Sequence, residues 1–223
     1  MDTFKEKLFN KYTRIDDIGH VVMSPMTICK AKKVLFYHIG KTAGSSTDRL
    51  LNDNGLNDNI INNMRIPYRE RVKYFEEVVE NWDEYFKFTT VRNKFDQLIS
   101  LYEMDRGLNG KFSLASATTF EEFIKNHVAR QTRPIDASLY SWPMDQYFLT
   151  HTDGKLVFDL IIKFDDYEAG LKAACERMNI SYTPIKVNVG NYDKTKVDTY
   201  YTPELKELVR TTFAQEFEYF KWS

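Results

Sequence analysis

Phe36-Tyr37-His38-Ile39-Gly40-Lys41-Thr42-Ala43-Gly44-Ser45-Ser46 is the stretch on which the fold turns. It grows out of Lys33-Val34-Leu35-Phe36-Tyr37-His38-Ile39, a short apolar run rich in β-formers that reads as a buried strand. Gly40 to Ser46 reads as a loop of small residues, and a helix carrying Leu50 and Leu51 should start near Ser45. A helix start presents backbone N–H groups without partners, which suits an anion. Lys41 adds a cation, and Thr42, Ser45 and Ser46 add hydroxyls. An ordinary strand-to-helix turn that needed glycines accounts for the same letters, and both readings stand at this point. A Walker A loop does not fit. That motif closes on Gly-Lys-Ser/Thr after an earlier glycine, whereas Phe stands at position 36 and Lys41 opens the loop.

Outward from this stretch, strand and helix patterns alternate. A charged helix is expected over 68–80, with Val72, Phe75 and Val79 on one face, after a loop over Asn52 to Asn63. Tyr85 to Val91 reads as a second strand. Phe95, Leu98, Ile99 and Tyr102 carry helical spacing beyond it, up to Gly107. Thr119 to Glu122 has the form of a capping box, opening a helix with Phe123 and Ile124 inside. Residues 130–152 read as irregular. Phe158 to Phe164 reads as a third strand, followed by a helix with Leu171, Cys175 and Met178 on one face. Thr202-Pro203-Glu204 opens the last helix, with Thr as cap and Pro at its first position. This alternation implies one α/β domain over 33–223, a mostly parallel central sheet flanked by helices, behind an irregular lead-in over 1–32.

Composition is consistent with that. The chain has 223 residues, 43% hydrophobic, which suits one domain with an ordinary core. A formal net charge of -1 argues against a general nucleic-acid binder. Cys29 and Cys175 form no CxxC pair, and a reducing compartment is the simpler expectation. Met1 to Asn10 carries charges throughout and has no apolar signal region. No run approaches the roughly 20 apolar residues that span a bilayer. A cytoplasmic location is the expectation.

The second strand ends in Phe88-Thr89-Thr90-Val91-Arg92, and Ser100 follows eight residues later on the next helix. An arginine at a strand's carboxyl end faces the crevice where open sheets bind ligands, and it can grip a phosphate bidentately. A structurally paired arginine and a satisfied helical serine are the plain alternatives.

With both segments in view, the chain resembles the sulfotransferases that use 3'-phosphoadenosine 5'-phosphosulfate (PAPS), closest to the carbohydrate 2-O-sulfotransferase branch and its bacterial relatives. Phe36 to Ser46 resembles their 5'-phosphosulfate loop and Phe88 to Tyr102 their 3'-phosphate segment. Asp159 to Asp165 resembles a later strand, with Lys163 and Asp165 where Arg and Glu are usual. Tyr200 to Leu205 and Phe217 to Phe220 resemble the C-terminal helix. The resemblance implies a P-loop-like domain and assigns roles. Lys41 would touch the bridging and sulfuryl oxygens. Thr42, Ala43, Gly44, Ser45 and Ser46 would hold the 5'-phosphate, and Arg92 and Ser100 the 3'-phosphate. Asn188 to Lys196 matches the family's closing segment in position but poorly in letters. The donor would be PAPS, the product adenosine 3',5'-bisphosphate and the acceptor a hydroxyl, expected on a glycan. The scheme requires no metal.

The general base is the gap. Relatives often carry a histidine between the first helix and the second strand, and this chain has none between His38 and His127. His38 is the catalytic candidate, although strand alternation allows it to be buried in a structural role or aimed at the site. Asp58, Asp136, Asp145 and His151 are weaker options. Irregular residues 130–147, with Tyr140 and Trp142, are candidates for an acceptor loop. A small-molecule kinase and a non-catalytic nucleotide- or glycan-binding protein remain the alternatives.

Overall fold

A computed structural model describes residues 26–56, 59–61, 79–107, 119–131, 155–185 and 197–223. Five strands form one sheet: β1 Met26–Cys29, β2 Val34–Tyr37, β3 Asn59–Ile61, β4 Phe86–Val91 and β5 Leu160–Lys163. Their order is β3-β1-β2-β4-β5. β2, β4 and β5 are parallel neighbours, and β1 is antiparallel to both β2 and β3. β3 therefore runs with β2, β4 and β5, and only β1 runs against them. The sheet is mostly parallel, as expected.

Two strands fall where none was expected. β1 lies inside the supposed irregular lead-in, joined to β2 by a tight turn in which Lys33 N–H donates to the Lys30 carbonyl at 3.3 Å. β3 lies inside the supposed loop over 52–63. Four and three residues are too few to display a period, and polar neighbours hide both strands. The expected helix over 68–80 lies largely outside the described residues. Its last positions, Val79 and Glu80, are a bend and turn leading into a 3-10 helix at Trp82–Glu84.

Seven helices are described: α1 Gly44–Asp53, α2 Lys94–Gly107, α3 Phe120–Gln131, α4 Tyr167–Met178, α5 Val197–Tyr200, α6 Pro203–Thr212 and α7 Ala214–Phe220. Val34, Phe36, Phe88 and Ile162 of the sheet pack with Leu50 and Leu51 of α1 and with Leu171, Cys175 and Met178 of α4. Leu35 and Tyr37 alternate onto the opposite face and are also fully buried. The sheet is thus covered on both sides, as a parallel sheet requires. Cys29 and Cys175 are buried and form no disulfide. A second core joins α2, α3, α6 and α7 through Phe95, Ile99, Phe123, Val209, Phe213 and Phe217.

The capping box of α3 forms in both directions. Glu122 N–H donates to Thr119 Oγ1 and Thr119 N–H to the Glu122 carboxylate, each at 3.2 Å. Thr202 caps α6 by accepting from Leu205 N–H at 3.2 Å, with Pro203 at the first helical position. The expected single C-terminal helix is two. The helix is interrupted at buried Phe213, and α7 carries Glu216 into the interior.

Candidate functional site

The loop after β2 and the residue after β4 lie side by side, because the parallel register sets Tyr37 against Thr89. Arg92 Nη1 donates to the Lys41 carbonyl at 3.3 Å, so the two cations singled out in the sequence meet at adjacent strand ends. The Arg92 guanidinium lies 4.3 Å from the centre of the Phe164 ring, which follows β5. Three parallel strand ends therefore converge, at the edge where open α/β sheets take ligands.

The loop backbone has an unusual shape. Lys41 and Ala43 stand at φ 65° and 72°, while Gly40, Thr42 and Gly44 keep negative φ. Alternation of hand turns successive N–H groups toward one concave side, the geometry of an anion nest. At the start of α1, Ser46 and Thr47 N–H donate to the Ala43 carbonyl at 3.0 and 3.2 Å. Two non-glycine residues held left-handed cost roughly 1–3 kcal/mol each. Ala43→Gly should accordingly raise unfolding stability by about 0.5–1 kcal/mol, read by urea denaturation, because glycine adopts that φ without strain.

Ties to β4 and α2 hold the loop in this shape. Thr42 Oγ1 donates to the Ile39 carbonyl at 2.6 Å and is 2.7 Å from Thr90 Oγ1. Thr42 is fully buried, so its hydroxyl faces the protein and only its N–H is turned to the nest. Gln97 Nε2 donates to the Gly40 carbonyl at 2.7 Å. Ser45 is half-buried and Ser46 buried at the start of α1. Ser100 is buried on α2.

The Lys41 ammonium rests 3.6 Å from Met104 Sδ on α2. Burial, reinforced by the neighbouring Arg92 charge, holds its pKa below the ordinary lysine value. It is a cation with a poor partner, placed on the left-handed loop.

His38 is half-buried, with Nδ1 2.7 Å from Asp48 Oδ2. Asp48 Oδ1 in turn accepts from Thr27 Oγ1 at 2.8 Å. Neither Asp48 nor Thr27 stood out in the sequence. The available signal was spacing: position 48 is one helical turn beyond Gly44, over the loop that His38 enters. An ideal Cβ on Gly44 would lie 2.0 Å from His38 Cδ2, so the ring fills the place of that side chain. Gly44 is small for the sake of His38.

Lys163 donates to the Phe220 carbonyl at 2.8 Å and closes the end of α7. Asp58, Asp136, Asp145, His151, Tyr140, Trp142 and residues 188–196 lie outside the described residues. Among the described residues, no helix is long and apolar enough to cross a membrane.

Sheet order, loop and strand-end arginine together are those of a P-loop-like α/β domain. The Sulfotransferase family model matches residues 24–223, and the chain belongs to that family. Its class of chemistry is therefore sulfuryl transfer. Comparison with curated proteins and with solved structures gives no match.

Proposed function

We propose that the chain transfers a sulfuryl group from PAPS to an acceptor hydroxyl, on a carbohydrate by the resemblance of its two phosphate segments. The observation that carries this reading is the strand-to-helix loop with Lys41 and Ala43 both left-handed, and Arg92 alongside at the next strand end.

In this reading the nest holds the 5'-phosphate through the N–H groups of Thr42, Ala43, Gly44 and Ser45, with Ser46 at the helix start. Arg92, with Ser100 behind it on α2, binds the 3'-phosphate. The acceptor oxygen attacks sulfur in line. The bond from sulfur to the bridging phosphate oxygen breaks, and adenosine 3',5'-bisphosphate leaves. Negative charge grows on that bridging oxygen, and Lys41 swings from Met104 to meet it. His38 takes the acceptor's proton. Asp48 holds Nδ1 as the protonated nitrogen, which leaves the lone pair on Nε2, the tautomer a base requires.

Calorimetry tests the nucleotide half. The chain should bind 3',5'-ADP more tightly than 5'-AMP or ATP. Arg92→Ala should cut 3',5'-ADP affinity by about 10–100-fold, the worth of a charged phosphate contact, and leave 5'-AMP nearly unaffected. Equal binding of 5'-AMP and 3',5'-ADP, with no loss in Arg92→Ala, rejects the reading. A labelled-sulfate screen over glycans, phenols and small alcohols then identifies the acceptor class.

A further inference from the structure

Glu216 and Lys94 form an ion pair that the sulfuryl-transfer chemistry does not use. Each side chain is only 3% exposed, and Lys94 Nζ lies 3.0 Å from Glu216 Oε1. Oε1 itself meets no aligned donor, so at that oxygen the contact is one of charge. Burial pushes the Glu216 carboxyl upward in pKa, and Lys94 pulls it back down. The pair is poorly placed for its own sake. Lys94 opens α2, where the helix dipole already favours negative charge, and it stands two residues from Arg92. Replacing such a pair by apolar side chains is often neutral or stabilising.

The position of Lys94 makes sense through its other contacts. Lys94 Nζ donates to Gln97 Oε1 at 2.9 Å, and Gln97 Nε2 donates to the Gly40 carbonyl at 2.7 Å. An ammonium has only protons to offer. It therefore fixes which end of the Gln97 amide faces it and turns the NH₂ group to the loop. Gly40 immediately precedes left-handed Lys41, so its carbonyl sets the entry to the nest.

We propose that Glu216 and Lys94 are positioning residues: the C-terminal helix orients Gln97 through Lys94 and thereby holds the phosphate-binding loop in its anion-competent shape. The functional consequence rests on the nucleotide reading above, but the conformational claim does not. α7 then serves the site from across the second core, without touching the ligand.

The test uses the full chain with two variants. Lys94→Met/Glu216→Leu removes both charges at once, so it leaves no buried ion alone and does not alter the net charge. Gln97→Met keeps the ion pair and removes only the loop contact. Hydrogen exchange of the Ser46 and Thr47 amides is followed in the ligand-free protein, beside urea stability and 3',5'-ADP affinity. Both variants should keep a cooperative fold, exchange these amides faster, and bind 3',5'-ADP about tenfold more weakly, the equivalent of one misplaced hydrogen bond. Faster exchange in a chain whose parent binds no 3',5'-ADP upholds the positioning role and rejects the nucleotide reading instead. Unchanged exchange in Gln97→Met overturns the proposal, whatever the double variant does. So does unchanged exchange in the double variant if it folds.

Discussion

Lys41→Ala is expected to lower kcat for sulfuryl transfer by about 10²–10³-fold, the usual loss when one preorganised charge stabiliser is removed. The reason lies in what surrounds the ammonium. Met104 Sδ is a weak acceptor, and burial and Arg92 both disfavour the charged amine. An arriving phosphosulfate offsets both penalties, most strongly when negative charge peaks on the bridging oxygen. The pH profile follows. Because the Lys41 pKa is lowered in the free protein, kcat/KM should fall on the alkaline side at a pH below ordinary lysine titration. The bound anion raises that pKa again, so the alkaline fall in kcat should lie at higher pH.

Stability moves the other way. A lysine with a depressed folded-state pKa destabilises the fold while it is charged, at pH below that pKa. The penalty fades as pH rises from the folded value toward the unfolded one. Lys41→Met should therefore raise the thermal midpoint at neutral pH while abolishing transfer, a stability–activity trade at a single site. Thermal denaturation and labelled-sulfate turnover measure the two arms. Undiminished turnover in Lys41→Ala would remove its catalytic role.

Much of this site was legible because local chemistry decides it. Val34 to Tyr37 had to be a buried strand, and Gly40 to Ser46 had to turn and open a helix. Thr119 with Glu122, and Thr202 with Pro203, signalled helix starts that formed as expected. What escaped the sequence is set by long-range packing. Nothing near Thr42 announces that Thr90, 48 residues away, engages its hydroxyl. Nothing near Glu216 points to Lys94. Met26–Cys29 becomes a strand only because β2 and β3 flank it on both sides. The left-handed conformation of Lys41 and Ala43 was equally hidden, since neither residue type favours it. The neighbouring glycines, Gly40 and Gly44, are the ones that keep negative φ.

Gly44→Ala is the second large effect. A Cβ there would lie 2.0 Å from His38 Cδ2 and 2.1 Å from Nε2. The ring cannot retreat freely, because Nδ1 is held by Asp48 and its plane stacks on Phe36 at a centroid distance of 5.9 Å. Either the His38–Asp48 contact breaks or the loop backbone moves, and overpacking of this kind costs about 3 kcal/mol. Chemical denaturation of Gly44→Ala should show that loss, together with a fall in 3',5'-ADP affinity. His38→Ala/Gly44→Ala should recover most of both, since removal of the ring vacates the space that the new methyl needs. The recovery separates two reasons for a glycine here. If position 44 is small so that phosphate can approach, the double variant regains stability and still binds poorly. The Cβ direction points into the imidazole, which places the nest N–H groups on another side, so affinity should return with stability. Strict additivity of the two substitutions would show that ring and glycine do not compete for the same volume.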